Sequence, residues 1–181
     1  MESNSMSAND SSLGKNYFLL KSEPEEFSIQ DLSTTKGSME EWSGVRNFAA
    51  RNILREMKVG DEAFFYHSSC KVPGIVGTVQ IVREAQPDET ALDPKHSGYD
   101  PKSTKENCRW DSVKVRLEAI YPEIVTLKEL KAQASVNHVI ADMTILKRGR
   151  LSVTRVKSEE WEAVVCMLER KMASENISNV S

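Results

Sequence analysis

The chain has 181 residues, of which 39% are hydrophobic and 28% charged, the size and balance of one ordinary globular domain. A formal net charge of −3 excludes a surface that grips nucleic acid everywhere, while leaving room for a local basic patch. No apolar run is long enough to span a bilayer, and Cys70, Cys108 and Cys166 are too scattered and odd in number for a disulfide frame or a zinc knuckle.

Residues 1–15 are rich in Ser and Asn and nearly free of apolar side chains, so a disordered tail is expected there. The stretch also lacks the basic and apolar regions of a secretory signal. The folded part is expected to span 16–171, with a second disordered tail at 172–181. After the apolar run YFLL, a strand ends at Lys21-Ser22-Glu23-Pro24. A helix start follows, with Ser28 as N-cap, Asp31 three residues on, and Phe27 and Leu32 placed as a hydrophobic staple. The tetrapeptide between them reads as a polar turn or as the rim of a ligand site.

Val45, Ala49, Ile53, Leu54 and Met57 recur at helical spacing, which predicts a helix over Val45–Lys58 stopped by Gly60. Asn47, Arg51, Arg55 and Lys58 line its other face, as a solvated face or a phosphate-facing stripe. Trp42 precedes that helix in a loop with Ser43 and Gly44. It packs on the core or forms one wall of an aromatic slot, with Arg46 and Asn47 at the mouth.

Glu62–Ser68 reads as a strand with Ala63, Phe65 and His67 on one face and Phe64, Tyr66 and Ser68 on the other. Gly74–Ala85, Ser112–Tyr121 and Leu151–Val156 are further strands. Thr126 and Glu129 form a capping box with Val125 and Leu130 as staple, and Ser158 is placed to cap a last helix. Residues 86–110 make a long Pro-, Gly- and Ser-rich connection. Its Tyr99 and Trp110 suggest a flap that packs down. Strands that alternate, without βαβ units or a Gly-rich phosphate loop, predict an α+β fold around an antiparallel, barrel-like sheet.

Chemistry of the enzyme kind has little support. His67 and Cys70 lie three residues apart with no acidic orienter, and no nucleophile elbow is present. His67, His96 and His138 have no metal-ligand spacing, so neither a metal nor a cofactor is expected. Binding is better served. A flat aromatic face with amide-type hydrogen bonding suits a single flipped nucleobase. The densest basic stretch is LKRGR at 146–150, with Lys147, Arg148 and Arg150, which joins Arg51 and Arg55 as candidate phosphate contacts.

KSEP after an apolar strand, then WSGVRNFAARN, GDEAFFYHSSCKVPGIVG, HSGYDP and LSV follow in order. This series resembles the EVE domain family from about Tyr17 to Arg170. The resemblance implies a PUA-like fold, a small β-barrel with flanking helices, related to the YTH domains that enclose methylated adenine in an aromatic cage. It implies a non-enzymatic reader of modified bases, among them 5-methylcytosine or 5-hydroxymethylcytosine in DNA, in the nucleus, with the cytoplasm as the other location. The sequence itself shows no interface signal, so a monomer is expected. By position, Lys21 and Ser22 would line the pocket floor. Trp42, Val45, Arg46 and Asn47 would form the wall and base-edge contacts, with Tyr66, His67 and Ser68 opposite. Tyr99 and Asp100 would come from the flap, and Leu151 and Ser152 from the late strand. The alternatives are an RNA-binding PUA-like module that senses no modification, and an enzyme acting on nucleotides.

Overall fold

A computed structural model describes residues 14–178. Six strands form one sheet: β1 (Tyr17–Ser22), β2 (Met39–Trp42), β3 (Glu62–His67), β4 (Gly74–Pro87), β5 (Asp111–Thr126) and β6 (Val153–Val156). Their spatial order is β2-β5-β4-β3-β1-β6. The expected α+β class is present. The sheet is open, with β2 and β6 as its edges; its pairs are antiparallel, as expected, apart from the parallel β1–β3 pair.

The alternation read in β3 is realised, and both of its faces are covered. Ala63 and Phe65 enter a core with Phe18, Leu20, Ile29, Leu32, Trp42, Val45 and Ile53. Phe64 and Tyr66 enter a second core with Leu19, Leu130, Ile140, Val164 and Leu168. A parallel pair buried on both faces is how such strands avoid water. At Gly77 in β4 a Cβ would lie 2.1 Å from the carbonyl oxygen of Ala119, so the close β4–β5 approach requires glycine.

Six helices flank the sheet: α1 (Ile29–Thr34), α2 (Phe48–Leu54), α3 (Leu127–Ala134), α4 (His138–Asp142), α5 (Thr144–Lys147) and α6 (Ser158–Ser178). The expected capping box of Thr126 with Glu129 forms, and the expected Ser28 cap forms with Asp31 completing a second box. Helix α2 is shorter than the predicted Val45–Lys58. Asn47 caps it, its side-chain oxygen accepting from the Ala50 N–H at 3.0 Å, so Val45 and Arg46 precede the helix. Gly44, at φ 77°, turns the chain between β2 and α2. Helix α6 begins at Ser158, with the Glu160 carboxylate accepting from the Lys157 N–H at 2.9 Å, one residue earlier than the expected Ser158 cap. It runs through Ser178, so residues 172–178 are helical where a tail was expected. Of the tail expected at 1–15, residues 1–13 lie outside the described residues, as do residues 179–181. No described helix is long and apolar enough to cross a membrane.

Candidate functional site

A cleft of about 1000 Å³ opens at the end of β1, between the β2–α2 turn, the 96–98 loop and the chain entering β6. Lys21, Ser22, Trp42, Val45, Arg46, Ser68 and Ser152 line it, as does Arg150. Seven of the thirteen residues expected at a base pocket therefore meet in one place. Glu23, Glu26, Phe27, Glu40, Glu41, Ser43, His96 and Gly98 complete much of the wall and were not expected there. Phe27 had a sequence signal as the α1 staple. The four glutamates had none, because an acidic side chain in a turn or on an edge strand looks solvated.

The aromatic wall is Trp42, the last residue of β2 rather than a loop residue. It is 7% exposed and meets the Phe65 ring edge-on, with centroids 5.2 Å apart. Trp42 therefore both packs on the core and presents a margin to the cleft.

Several candidates are bound to the scaffold. The Ser22 hydroxyl donates to the Phe27 carbonyl at 2.6 Å, closing the SEPEEF turn. Lys21 Nζ donates to the Gly149 carbonyl at 2.6 Å and lies 5.7 Å from the Tyr66 ring centroid. Burial lowers its pKa. This lysine ties the Arg150 loop to the cleft floor. Arg46 reaches across to the flap. It donates to Asp88 (2.8 Å), Thr90 Oγ1 (2.9 Å) and the Gly98 carbonyl (2.6 Å). Asp88, 1% exposed, also accepts from the Gly44 N–H at 2.8 Å and from the Thr90 N–H at 2.9 Å. Burial pushes the Asp88 pKa up, but hydrogen bonds from Thr90, Arg46 and Gly44 and the Arg46 charge prevail and hold it below the ordinary carboxylate value.

The remaining expected residues are not on the wall. Asn47 is occupied as the α2 cap. Tyr66 points to the opposite face of the sheet, where burial pushes its hydroxyl pKa up to about 12. Tyr99 is exposed, while its neighbours His96, Ser97 and Gly98 face the cleft. Asp100 accepts from Trp110 Nε1 at 2.7 Å and from Ser103 at 3.0 Å, which folds the flap on itself. Leu151 packs against the first core. Arg51, Arg55, Lys147 and Arg148 also lie off the cleft wall. Arg55 pairs with Asp111 at 2.5 Å and Lys147 with Asp142 at 2.7 Å.

His67 Nε2 accepts from the Ile29 N–H at 3.1 Å, satisfying a donor in the first turn of α1. Desolvation lowers the His67 pKa, and nearby Asp31 opposes this without overcoming it. The unfolded chain therefore binds the proton more readily, and stability falls as pH drops below about 6.5. Urea midpoints measured between pH 7.5 and 5.5 should decline in the wild type and flatten in His67→Gln. An equal decline in both would remove His67 as the cause.

The described residues hold no group of three or more His, Cys, Asp or Glu side chains arranged for a metal ion. What the geometry defines is a binding cleft with one aromatic wall, a mixed polar lining and a braced flap. The sequence matches the EVE domain over residues 16–167, and the chain belongs to the EVE domain family. It is 42% identical to chicken (Gallus gallus) thymocyte nuclear protein 1 over 168 residues, which cover 86% of this chain and 69% of that one. The crystal structure of human THYN1 protein in complex with 5-methylcytosine-containing DNA superposes with a TM-score of 0.84 at 39% identity, covering 86% of this chain and 98% of that one. A hypothetical protein from Leishmania major gives a TM-score of 0.82 at 42% identity, covering 88% and 98%.

Proposed function

We propose that this protein is a DNA-binding reader of modified cytosine that takes a flipped base into the Trp42 cleft and performs no chemistry on it. The observation that carries the reading is the match, at a TM-score of 0.84, to a relative whose crystal structure holds 5-methylcytosine DNA. The cleft supports it physically. Trp42, Phe27 and Val45 supply apolar wall, and one methyl group placed against such a wall is worth about 1–3 kcal/mol.

A methyl group alone does not define the base, because thymine carries it at the same ring position. Cytosine differs in presenting an N4 amino donor, for which a carboxylate is a fitting acceptor. The cleft is rich in carboxylates. Arg83 grips Glu41 at 2.6 and 2.5 Å and Ser69 donates to Glu23 at 3.0 Å. Among the described residues, the Glu40 carboxylate accepts only from the neighbouring Glu41 N–H, and the Glu26 carboxylate has no partner. Glu26 and Glu40 are therefore the acceptors on which cytosine selectivity rests. At the rim, Arg150 and the adjacent Arg148 have no carboxylate partner among the described residues and face solvent, ready for phosphate. The protein acts as a monomer, and its place is the nucleus, in keeping with the name of its relatives.

Fluorescence anisotropy with matched DNA and RNA probes tests this. The probes carry cytosine, 5-methylcytosine, 5-hydroxymethylcytosine, thymine or methylated adenine at one position. One modified-cytosine DNA probe should bind about tenfold tighter than its unmodified match, a gap of about 1.4 kcal/mol. Trp42→Ala should erase the gap and Trp42→Phe should retain part of it. Equal affinity for every probe would reject the reader and leave a nucleic-acid-binding module without modification sensing.

A further inference from the structure

Outside the cleft, Phe48 opens helix α2 and is 46% exposed. It stacks on Trp110 of the flap, with centroids 4.7 Å apart and planes at 18°. Three guanidiniums surround the pair. Arg51 lies 4.8 Å and Arg109 5.2 Å from the Phe48 centroid, and Arg46 lies 5.6 Å from that of Trp110. Arg109 is also 5.7 Å from the Trp110 centroid.

The carboxylates nearby are already engaged. Asp88 pairs with Arg46, Asp100 with Arg109 at 3.3 Å, and Asp111 with Arg55. Arg51 has no carboxylate within ion-pair distance among the described residues. It donates to the Arg109 carbonyl at 2.8 Å and to Asn52 at 2.7 Å. Burial lowers its pKa, and repulsion from Arg55 and Arg109 adds to this against the pull of Asp111. An anion placed here would relieve that repulsion. A clamp built only to seat the flap would need neither a half-exposed phenyl ring nor an uncompensated cation. The patch is continuous with the cleft through Arg46, which lines the cleft and reaches Trp110.

We infer that the Phe48–Trp110 stack, with Arg51 and Arg109, is the surface on which the DNA strand flanking the flipped base lies, phosphates on the guanidiniums and a neighbouring base or sugar against Phe48. Arginine and aromatic side chains together offer this kind of sequence-tolerant contact. The inference rests on the reader assignment for the orientation of the strand, but it makes a separate claim. The platform supplies affinity for the strand and the cleft supplies choice of base.

The experiment uses full-length protein and a duplex with one 5-methylcytosine, beside the same duplex unmodified, titrated from 50 to 200 mM salt. Arg51→Gln and Phe48→Ala should each weaken both duplexes by about tenfold and leave their affinity ratio intact. Arg51→Gln should also reduce the salt slope by about 0.9 for the phosphate contact removed. Melting temperatures identify any loss of fold, and Arg51→Gln keeps the proposal testable if Phe48→Ala unfolds. Unchanged affinity and slope in a folded Arg51→Gln would overturn the platform, and so would a loss confined to the modified duplex. A wild type that binds both duplexes equally, with the slope still reduced in Arg51→Gln, would defeat the reader assignment and keep the strand surface.

Discussion

Asp88→Ala should lower unfolding stability by about 3 kcal/mol and abolish base selectivity together. Asp88 is the joint between the two halves of the cleft. One carboxylate oxygen holds Gly44 and Arg46 from the β2–α2 turn, and the other holds Thr90 at the start of the flap. Removing it leaves four donors without their acceptor and strands the Arg46 guanidinium in a half-buried position. The figure lies at the low end for a broken buried pair because part of Arg46 still reaches water. Asp88→Asn keeps an acceptor for Thr90 and should cost roughly half as much. The depressed pKa adds a signature. The contribution of Asp88 is full above the unfolded carboxylate pKa near 3.8 and is lost as pH falls below it toward the lowered native value. Urea unfolding at pH 7, with probe binding on the same samples, measures both effects. A folded Asp88→Ala that discriminates bases like wild type would show that the flap is dispensable for recognition.

Phe65→Ala should be equally severe, at about 3–5 kcal/mol, through the cavity it leaves in the first core. Phe65 is fully buried beneath the cleft. Its ring meets Trp42 at 5.2 Å, Phe27 at 6.5 Å and His67 at 5.6 Å between centroids. Both aromatic residues of the cleft wall rest on it, so the surviving folded fraction should bind modified probes no better than unmodified ones. Phe64→Ala is the matched control. That ring is also fully buried and stacks on Trp161 at 3.9 Å, but on the other face of the sheet. It should cost comparable stability while leaving the selectivity of the folded molecules intact. Equal damage to selectivity in both variants would mean that the two faces are not independent supports.

The legible parts of the fold were those with a local physical signature. The period of two in β3 placed the right side chains on each face, and the Ser28 cap and the Thr126 capping box fixed two helix starts. In β4 the period misled, because register shifts against β5 send Ile75 to the second core and Val79 and Ile81 to the first. Strand β2 was not legible, because MEEW is four residues long and two of its side chains are acidic. Its strand character comes from pairing with β5, not from its own pattern. The parallel β1–β3 pairing has no local signal at all. At the cleft, motif order located the wall but not the state of each side chain. Ser22, Arg46 and Asn47 have the right chemistry to read a base, and the fold uses that chemistry to hold a turn, a flap and a helix end. His67 shows the same effect, its ring nitrogen taken by Ile29.

The position of β1 in the sheet bears on how the protein is made. Tyr17 pairs with Val156 on one side and with Glu62 on the other, so the first strand is flanked by one of the last. A nascent chain can assemble the antiparallel β3–β4–β5 meander early, but β1 keeps one unpaired edge until residues near 156 emerge from the ribosome. Such distant closure slows folding, because chain entropy is lost before the contact forms. Until then, the backbone donors and acceptors along YFLL are open to strands of other chains. Most of the vulnerability to aggregation therefore falls within synthesis, and ends when the short β6 strand closes that edge.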